Sequence, residues 1–268
     1  MSSSSRVSLM SVELDSLTEA EVLERVAAAL DQEEGGWIMP VNLDVLRQLH
    51  RDAGLRDLAN QADFVLADGM PLVWASRMSG TPVPERVAGS DLASSLPAVA
   101  AERGASVFLL GGDPGMAEAA AEHLAERTPG LCVAGTLCPE RGFERDPQRL
   151  REIASAVAAA KPSVVLVGLG FPKQERLIEH LRVALPQTWF VCVGISLSFL
   201  GGSVRRAPRW MQSIGLEWLH RVAQEPRRLT RRYLIHGLPF AARLLTSSVL
   251  NQRSAYALAR AREPEVTP

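Results

Sequence analysis

The chain has 268 residues, of which 47% are hydrophobic and 22% charged, with a formal net charge of −1; this excludes a disordered or low-complexity protein and fits one large or two small globular domains. Three cysteines without a Cys-x-x-Cys pair, together with five dispersed histidines, exclude a disulfide scaffold, favour a reducing compartment and give no reason to predict a metal site. The N-terminus lacks the apolar segment of a secretory signal and no run of about 18 apolar residues occurs, so we expect a cytoplasmic protein without a membrane-spanning helix.

Short apolar runs alternate with helical patterns along residues 1–204. Thr18 and Glu21 stand three residues apart before an apolar-periodic run to Leu30, a capping-box pattern that predicts a first helix ahead of all strands. Six buried strands are then predicted at Trp37–Val41, Phe64–Ala67, Val107–Leu110, Leu131–Ala134, Val164–Val167 and Trp189–Val193. Helical patterns are found near 43–61, 70–79, 90–103, 115–127, 147–160 and 173–184.

This alternation predicts an α/β fold, a Rossmann-like and mostly parallel sheet with helices on both faces. Ligands in such sheets bind at the carboxyl ends of the strands. Candidate functional residues are therefore expected in the strand-to-helix loops.

The loop after the second predicted strand carries Asp68, followed by Gly69. Asp68 is either the N-cap of the next helix, a common use of Asp, or a general base at the end of the strand. In the following loop Arg86 fits a phosphate or carboxylate contact, and Asp91 either binds hydroxyl groups or caps a helix.

Two glycine-rich loops follow later strands. The loop that begins with Gly111 and Gly112 is either an ordinary turn or a nucleotide or sugar contact at a helix N-terminus. In the loop Gly168–Glu175, Lys173 suits a phosphate and Gln174 suits sugar hydroxyls, the alternative being a capped helix start with a surface lysine.

Residues 205–262 form a second predicted unit, helical and rich in arginine. They carry 12 Arg against two acidic residues, a net of +10, whereas residues 1–204 have a net of −9. A basic segment of this kind predicts an anionic partner. On one continuous helix the spacings of 7 and 3 would place Arg221, Arg228 and Arg231 on one face.

The same segment adds apolar residues over Leu234–Leu250, where only Arg243 is charged. Basic plus apolar character suits a helix at an anionic membrane surface, and the alternative is a solvated helix docked on the acidic body. Such a surface is also compatible with self-association into a homo-oligomer. Nucleic-acid binding is disfavoured because no RRM or KH signature is present.

The loops in this order resemble the WecG/TagA/CpsF glycosyltransferase family over about residues 12–245. The matching stretches are Asp68-Gly69, Glu85–Gly89, Leu109–Gly115, Gly168–Glu175, Arg206–Pro208, Gly215–Trp218, Glu225–Arg228 and Arg232-Tyr233. The resemblance implies an inverting hexosyltransferase that needs no metal or cofactor. It would move N-acetylmannosamine or a related sugar from a UDP donor to a sugar on a polyprenyl diphosphate, at the inner membrane face, for teichoic acid or exopolysaccharide synthesis.

The resemblance also implies roles for individual residues. Asp68 would be the general base that deprotonates the acceptor hydroxyl. The substrate would contact Asn42, Arg86, Asp91 and Gln174. The nucleotide or its phosphates would contact Gly111, Gly112, Phe143, Gly170, Lys173, Ser198, Arg221, Arg228 and Arg231.

Two positions depart from the family's pattern. Pro40 stands where the family has a threonine, and Ser198 stands where it has an aspartate after the last strand. These losses leave a second reading, a non-catalytic scaffold at the membrane that binds nucleotide sugars. A nucleotide-dependent oxidoreductase is disfavoured because G-x-G-x-x-G is missing.

Overall fold

The computed structural model describes residues 5–260, without the side chains of Arg228 and of residues 253–260. It begins with an antiparallel hairpin of β1 (Arg6–Leu9) and β2 (Val12–Asp15), joined by two residues with positive φ, Met10 and Ser11. The first helix, α1 (Glu19–Asp31), therefore follows two strands, and the expectation that it precedes all strands is wrong.

The capping box at the start of α1 is confirmed. The Oγ1 of Thr18 accepts the N–H of Glu21 at 3.2 Å, and the Glu21 carboxylate accepts the N–H of Thr18 at 2.7 Å. Two of the N–H groups that a helix start leaves unpaired are satisfied in this way.

Six parallel strands form the central sheet in the order β4-β3-β8-β7-β5-β6. All six predicted strands are present, which confirms the α/β fold. They are β3 (Gly36–Val41), β4 (Phe64–Ala67), β5 (Ser106–Gly111), β6 (Cys132–Leu137), β7 (Val164–Gly168) and β8 (Trp189–Cys192).

Helices cover both faces of the sheet. The predicted helix 43–61 is two helices, because Asp52 adopts an extended backbone and its side chain accepts the N–H of Leu55 at the start of the second one. The helices of the body after α1 are α2 (Leu43–Arg51), α3 (Ala53–Ala59), α4 (Met70–Met78), α5 (Gly89–Glu102), α6 (Met116–Arg127), α7 (Pro147–Ala160) and α8 (Lys173–Ala184).

Two hydrophobic clusters sandwich the sheet. Trp37 belongs to one cluster and its neighbour Ile38 to the other, because successive side chains of a strand point to opposite faces. Leu109 and Leu110 on β5 divide in the same way, and all four side chains are fully buried. Strands buried on both faces explain the continuous apolar runs of the sequence.

The described chain after the sheet is mostly helical, apart from short connections of which the longest is residues 201–208. It forms α9 (Ser196–Leu200), α10 (Arg209–Ser213), α11 (Glu217–Gln224), α12 (Pro226–Thr230), a π-helical stretch (Arg231–Gly237) and α13 (Leu238–Arg260). The continuous helix assumed for the arginine spacing is wrong, because the backbone at Glu225 leaves the helical region just before Pro226.

The C-terminal segment (residues 205–260) packs on the body (residues 5–204). Phe240 and Leu244 on α13 are buried in the same cluster as Leu72 of α4, and the Ser247 hydroxyl lies 3.3 Å from the sulfur of Met10. A division between 1–204 and 205–262 stays a prediction. Across the described residues, no helix combines the length and apolarity that crossing a membrane requires.

Candidate active site

A cleft of about 740 Å³ opens at the carboxyl ends of the strands. The loop after each of the six parallel strands supplies lining residues, and the C-terminal segment closes another side. The predicted site residues that line the cleft are Asn42, Asp68, Arg86, Gly112, Phe143, Gly170, Lys173, Gln174, Ser198 and Arg221.

Four predicted site residues stand apart from these. Asp91 and Gly111 are not among the residues that line the cleft, and Arg231 is exposed to solvent. The side chain of Arg228 lies outside the described residues. Gly111 has φ of 112°, and a Cβ there would lie 2.5 Å from the carbonyl oxygen of Gly168, so the close approach of β5 and β7 requires glycine.

Asp68 lies directly beyond the end of β4, where its N–H donates to the carbonyl of Val41 on β3 at 2.9 Å. It is not a helix cap, because α4 has Gly69 as its N-cap residue and no side-chain cap, so that alternative is wrong. Its side chain is 27% exposed, and Nη1 of Arg86 lies 3.7 Å from its Oδ1.

The environment of Asp68 raises its pKa to about 6. Loss of solvation in the cleft is the largest cause, and the positive charge of Arg86 opposes it. Weaker contributions come from the carboxylates of Glu217 and Asp91, which raise the pKa, and from Arg206, which lowers it. A carboxyl group that ionises near pH 6 is suited to accept a proton at neutral pH.

Asp91 holds two arginines. Its Oδ2 accepts from Nη2 of Arg86 at 2.7 Å, and its Oδ1 accepts from Nη2 of Arg206 at 2.6 Å. The N-cap of α5 is Ala88, so the interpretation of Asp91 as a cap is wrong. Binding of substrate hydroxyls by Asp91 stays a prediction, at a carboxylate whose two oxygens already have arginine partners.

Asn42 both caps a helix and lines the cleft. Its Oδ1 accepts the N–H groups of Asp44 and Val45 at 3.1 Å each, which fixes the start of α2. Because these two bonds occupy the amide oxygen, Asn42 would contact a substrate through its NH₂ group. Pro40 lines the same part of the cleft, and Ser198 is buried at the lining on α9.

Gln174 shapes the glycine loop after β7. Its Oε1 accepts the N–H of Gly170 at 3.2 Å, and its Nε2 donates to Glu175 at 2.8 Å. The loop contains a cis peptide bond before Pro172. Lys173 pairs with Glu144 across the cleft rim, with 2.7 Å between Nζ and Oε1.

Glu175, for which the sequence predicts no catalytic or binding role, is buried beneath this loop with 1% exposure. Burial raises its pKa to about 7, and a hydrogen bond from Gln174 opposes the shift. The neighbouring thiol of Cys192 accepts the indole N–H of Trp37 at 3.3 Å, and burial raises its pKa as well. Cys192 itself is buried in the apolar core.

Replacing Glu175 with Gln is expected to change the pH dependence of stability. The folded-state pKa of about 7 exceeds the ordinary value of 4.5, so unfolding becomes easier as the pH rises from 4.5 to 7, by about 3 kcal/mol. Glu175→Gln removes this cost. The urea midpoint of the variant, relative to that of the wild type, should therefore be higher at pH 8 than at pH 4.5.

The control for this experiment is Glu126→Gln, at an exposed position on α6. It is expected to keep the pH dependence of the wild type. A stability difference between Glu175→Gln and the wild type that stays the same at both pH values would refute the assignment of a shifted carboxyl.

Arg221 and Arg232 project from the C-terminal segment into the cleft. The guanidinium of Arg221 lies 6.0 Å from the ring centre of Phe199 and 3.5 Å from the Tyr233 hydroxyl, and its buried Nε has no hydrogen-bond partner among the described residues. Arg232 pairs with Asp44, 3.0 Å from Nε to Oδ2. The prediction of Arg231 as a phosphate contact depends on a single continuous α-helix, which is interrupted at Glu225.

The cleft thus combines a carboxylate that ionises near pH 6 with arginines on the opposing segment. Within the part of the chain that the structure describes, no three His, Cys, Asp or Glu residues cluster as metal ligands. A carboxylate and facing guanidinium groups can accept a proton and stabilise a diphosphate.

Known proteins similar to this chain identify its family. The model of the Glycosyl transferase WecG/TagA/CpsF family matches residues 7–254. Two curated relatives, from Bacillus spizizenii and Bacillus subtilis, are both named N-acetylglucosaminyldiphosphoundecaprenol N-acetyl-beta-D-mannosaminyltransferase. They are 33% and 30% identical over 202 residues, which cover 75% of this chain and 76% and 77% of theirs. The chain therefore belongs to the WecG/TagA/CpsF family of glycosyltransferases.

Proposed function

We propose that the protein transfers N-acetylmannosamine, or a closely related sugar, from a UDP donor to the N-acetylglucosamine of a polyprenyl diphosphate. The names of the two Bacillus relatives supply the sugar and the acceptor. The observation that carries the proposal is the pairing, in one cleft, of Asp68 with the opposing Arg221 and Arg232.

The reaction follows from this arrangement. Asp68 accepts the proton of the acceptor hydroxyl, whose oxygen attacks the anomeric carbon of the donor sugar. The bond from that carbon to UDP breaks on the opposite side, so the configuration inverts and UDP leaves with the electron pair. Arg221 neutralises the charge that develops on the diphosphate, which is the role a metal ion fills in other transferases.

The C-terminal segment is suited to meet the lipid acceptor. Trp210 and Ile235 expose 62% and 61% of their surface, and the exposed Arg227 and Arg231 lie on the same segment. Exposed aromatic and aliphatic groups beside arginines favour attachment to an anionic membrane surface. We infer a peripheral position at the inner face of the plasma membrane, in the synthesis of teichoic acid or another surface polysaccharide.

Release of UDP from a panel of UDP-sugars tests the proposal. Each donor is incubated with and without a polyprenyl-diphosphate-linked N-acetylglucosamine, in detergent or in anionic vesicles, with and without EDTA. We expect release from UDP-N-acetylmannosamine that requires the acceptor and persists in EDTA. A folded protein that binds UDP-sugars but releases UDP from none would contradict transfer and favour the scaffold, for which Pro40 and Ser198 are the motivation.

A further inference from the structure

A chain of ion pairs connects the C-terminal segment to Asp68. Arg206 lies 2.6 Å from Asp91, Asp91 lies 2.7 Å from Arg86, and Arg86 lies 3.7 Å from Asp68. The four side chains retain between 15% and 27% of their exposure, so solvent screens these contacts only in part. The residues come from four places in the chain: the loop after β4 for Asp68, the loop between α4 and α5 for Arg86, the first turn of α5 for Asp91, and the segment before α10 for Arg206.

The two terminal nitrogens of the Arg86 guanidinium face different carboxylates. Its Nη2 donates to Asp91 within hydrogen-bond distance, whereas its Nη1 faces Asp68 at ion-pair distance only. The hydrogen bond to Asp91 thus fixes the position of the Arg86 guanidinium. A guanidinium held beyond hydrogen-bond distance lowers the pKa of a carboxyl less than a direct bond would, and leaves its oxygens open to a hydroxyl.

Arg206 completes the arrangement from the other side. It takes the second oxygen of Asp91 and balances a carboxylate that would otherwise draw more strongly on Arg86. Its position is fixed locally, since Ala207 is buried with 4% exposure and the carbonyl of Ala207 accepts from Gln212 at 2.7 Å. Arg206 therefore contacts Asp91 only when the part of the C-terminal segment around Ala207 is packed on the body.

We propose that Arg206 is a positioning residue that acts through Asp91 on Arg86, so that packing of the C-terminal segment on the body holds the Arg86 guanidinium beside the Asp68 carboxylate. Naming Asp68 the base rests on the proposed function, whereas the ion-pair chain does not. The charged groups that act on Asp68 are Arg86 and Arg206, which lower its pKa, and Glu217 and Asp91, which raise it.

The test is an NMR titration of the Asp68 carboxyl carbon, assigned with Asp68→Asn, in the protein without substrate. Arg206→Gln is expected to raise the pKa of Asp68 by about half a unit or more, because it removes one cation and leaves Asp91 half paired. Arg206→Lys should recover most of the shift. Glu217→Gln should move the pKa in the opposite direction.

The matched control is Arg205→Gln, which removes the same charge at the preceding, exposed position. It should leave the pKa of Asp68 unchanged. In Arg206→Gln, the apparent pKa of the acid limb of the kcat/KM profile should rise by the same amount as the pKa of the Asp68 carboxyl. A shift no larger than that of Arg205→Gln, or lower activity with an unchanged pH profile, would overturn the proposal. The titration needs no turnover, so failure of the proposed transferase and failure of this coupling are distinguishable.

Discussion

Replacing Asp68 with Asn is expected to lower kcat by about a thousandfold, within the range that general-base catalysis contributes. The amide is nearly isosteric but accepts no proton from the acceptor hydroxyl at neutral pH. In the wild type, Asp68 must be ionised to act, so kcat/KM should rise with pH through about 6 and level off above it. The measurement is the rate of acceptor-dependent UDP release across pH 4.5 to 9.

Donor binding and folding serve as the controls for this variant. The carboxyl is poorly solvated in the cleft, so its loss should leave thermal stability close to that of the wild type, and donor affinity should change only a few fold. Asp57→Asn, on the exposed side of α3, should retain full activity. Transfer by Asp68→Asn at the wild-type rate would show that another group removes the proton.

Much of the frame of the site could be predicted from the sequence. Continuous apolar runs identify strands buried on both faces, and parallel strands bring their carboxyl ends to one edge, so Asp68 and Gln174 fall in the same cleft. The role of Asp68 could not be decided in this way, since a helix cap and a base occupy the same place after a strand. The structure excludes the cap because Gly69, not Asp68, is the N-cap residue of α4.

Other features of the site leave no local signal. Asp91 and Arg206 are 115 residues apart, and nothing in either neighbourhood indicates that they form an ion pair. Glu175 follows the exposed Lys173 by two residues, and only packing shows that one is buried and the other is not. The hairpin before α1 is not among the predicted elements because each of its strands has only four residues, although its alternating polar and apolar residues are typical of a strand.

The arginines illustrate how an assumption about backbone geometry affects a side-chain assignment. Spacings of 7 and 3 share a face only if the helix is unbroken. The bend at Glu225 and the π-helical turn that begins at Arg231 rotate the chain, so that Arg232 lines the cleft and Arg231 faces solvent. Arg221 precedes the bend, and it lines the cleft as the sequence predicts.

Replacing Arg221 with Gln is expected to lower kcat/KM by about a hundredfold or more, because the variant loses a preorganised cation at the leaving diphosphate. The buried Nε of Arg221 has no hydrogen-bond partner among the described residues, which fits a guanidinium placed to receive an anion. Arg221→Lys keeps the charge but not the planar fork, and should recover activity only in part. Arg209→Gln, at an exposed position of the same segment, is the control. If Arg221→Gln and Arg209→Gln lose activity equally, the effect is one of general charge, and the diphosphate must be held elsewhere, with Arg232 the next residue to replace.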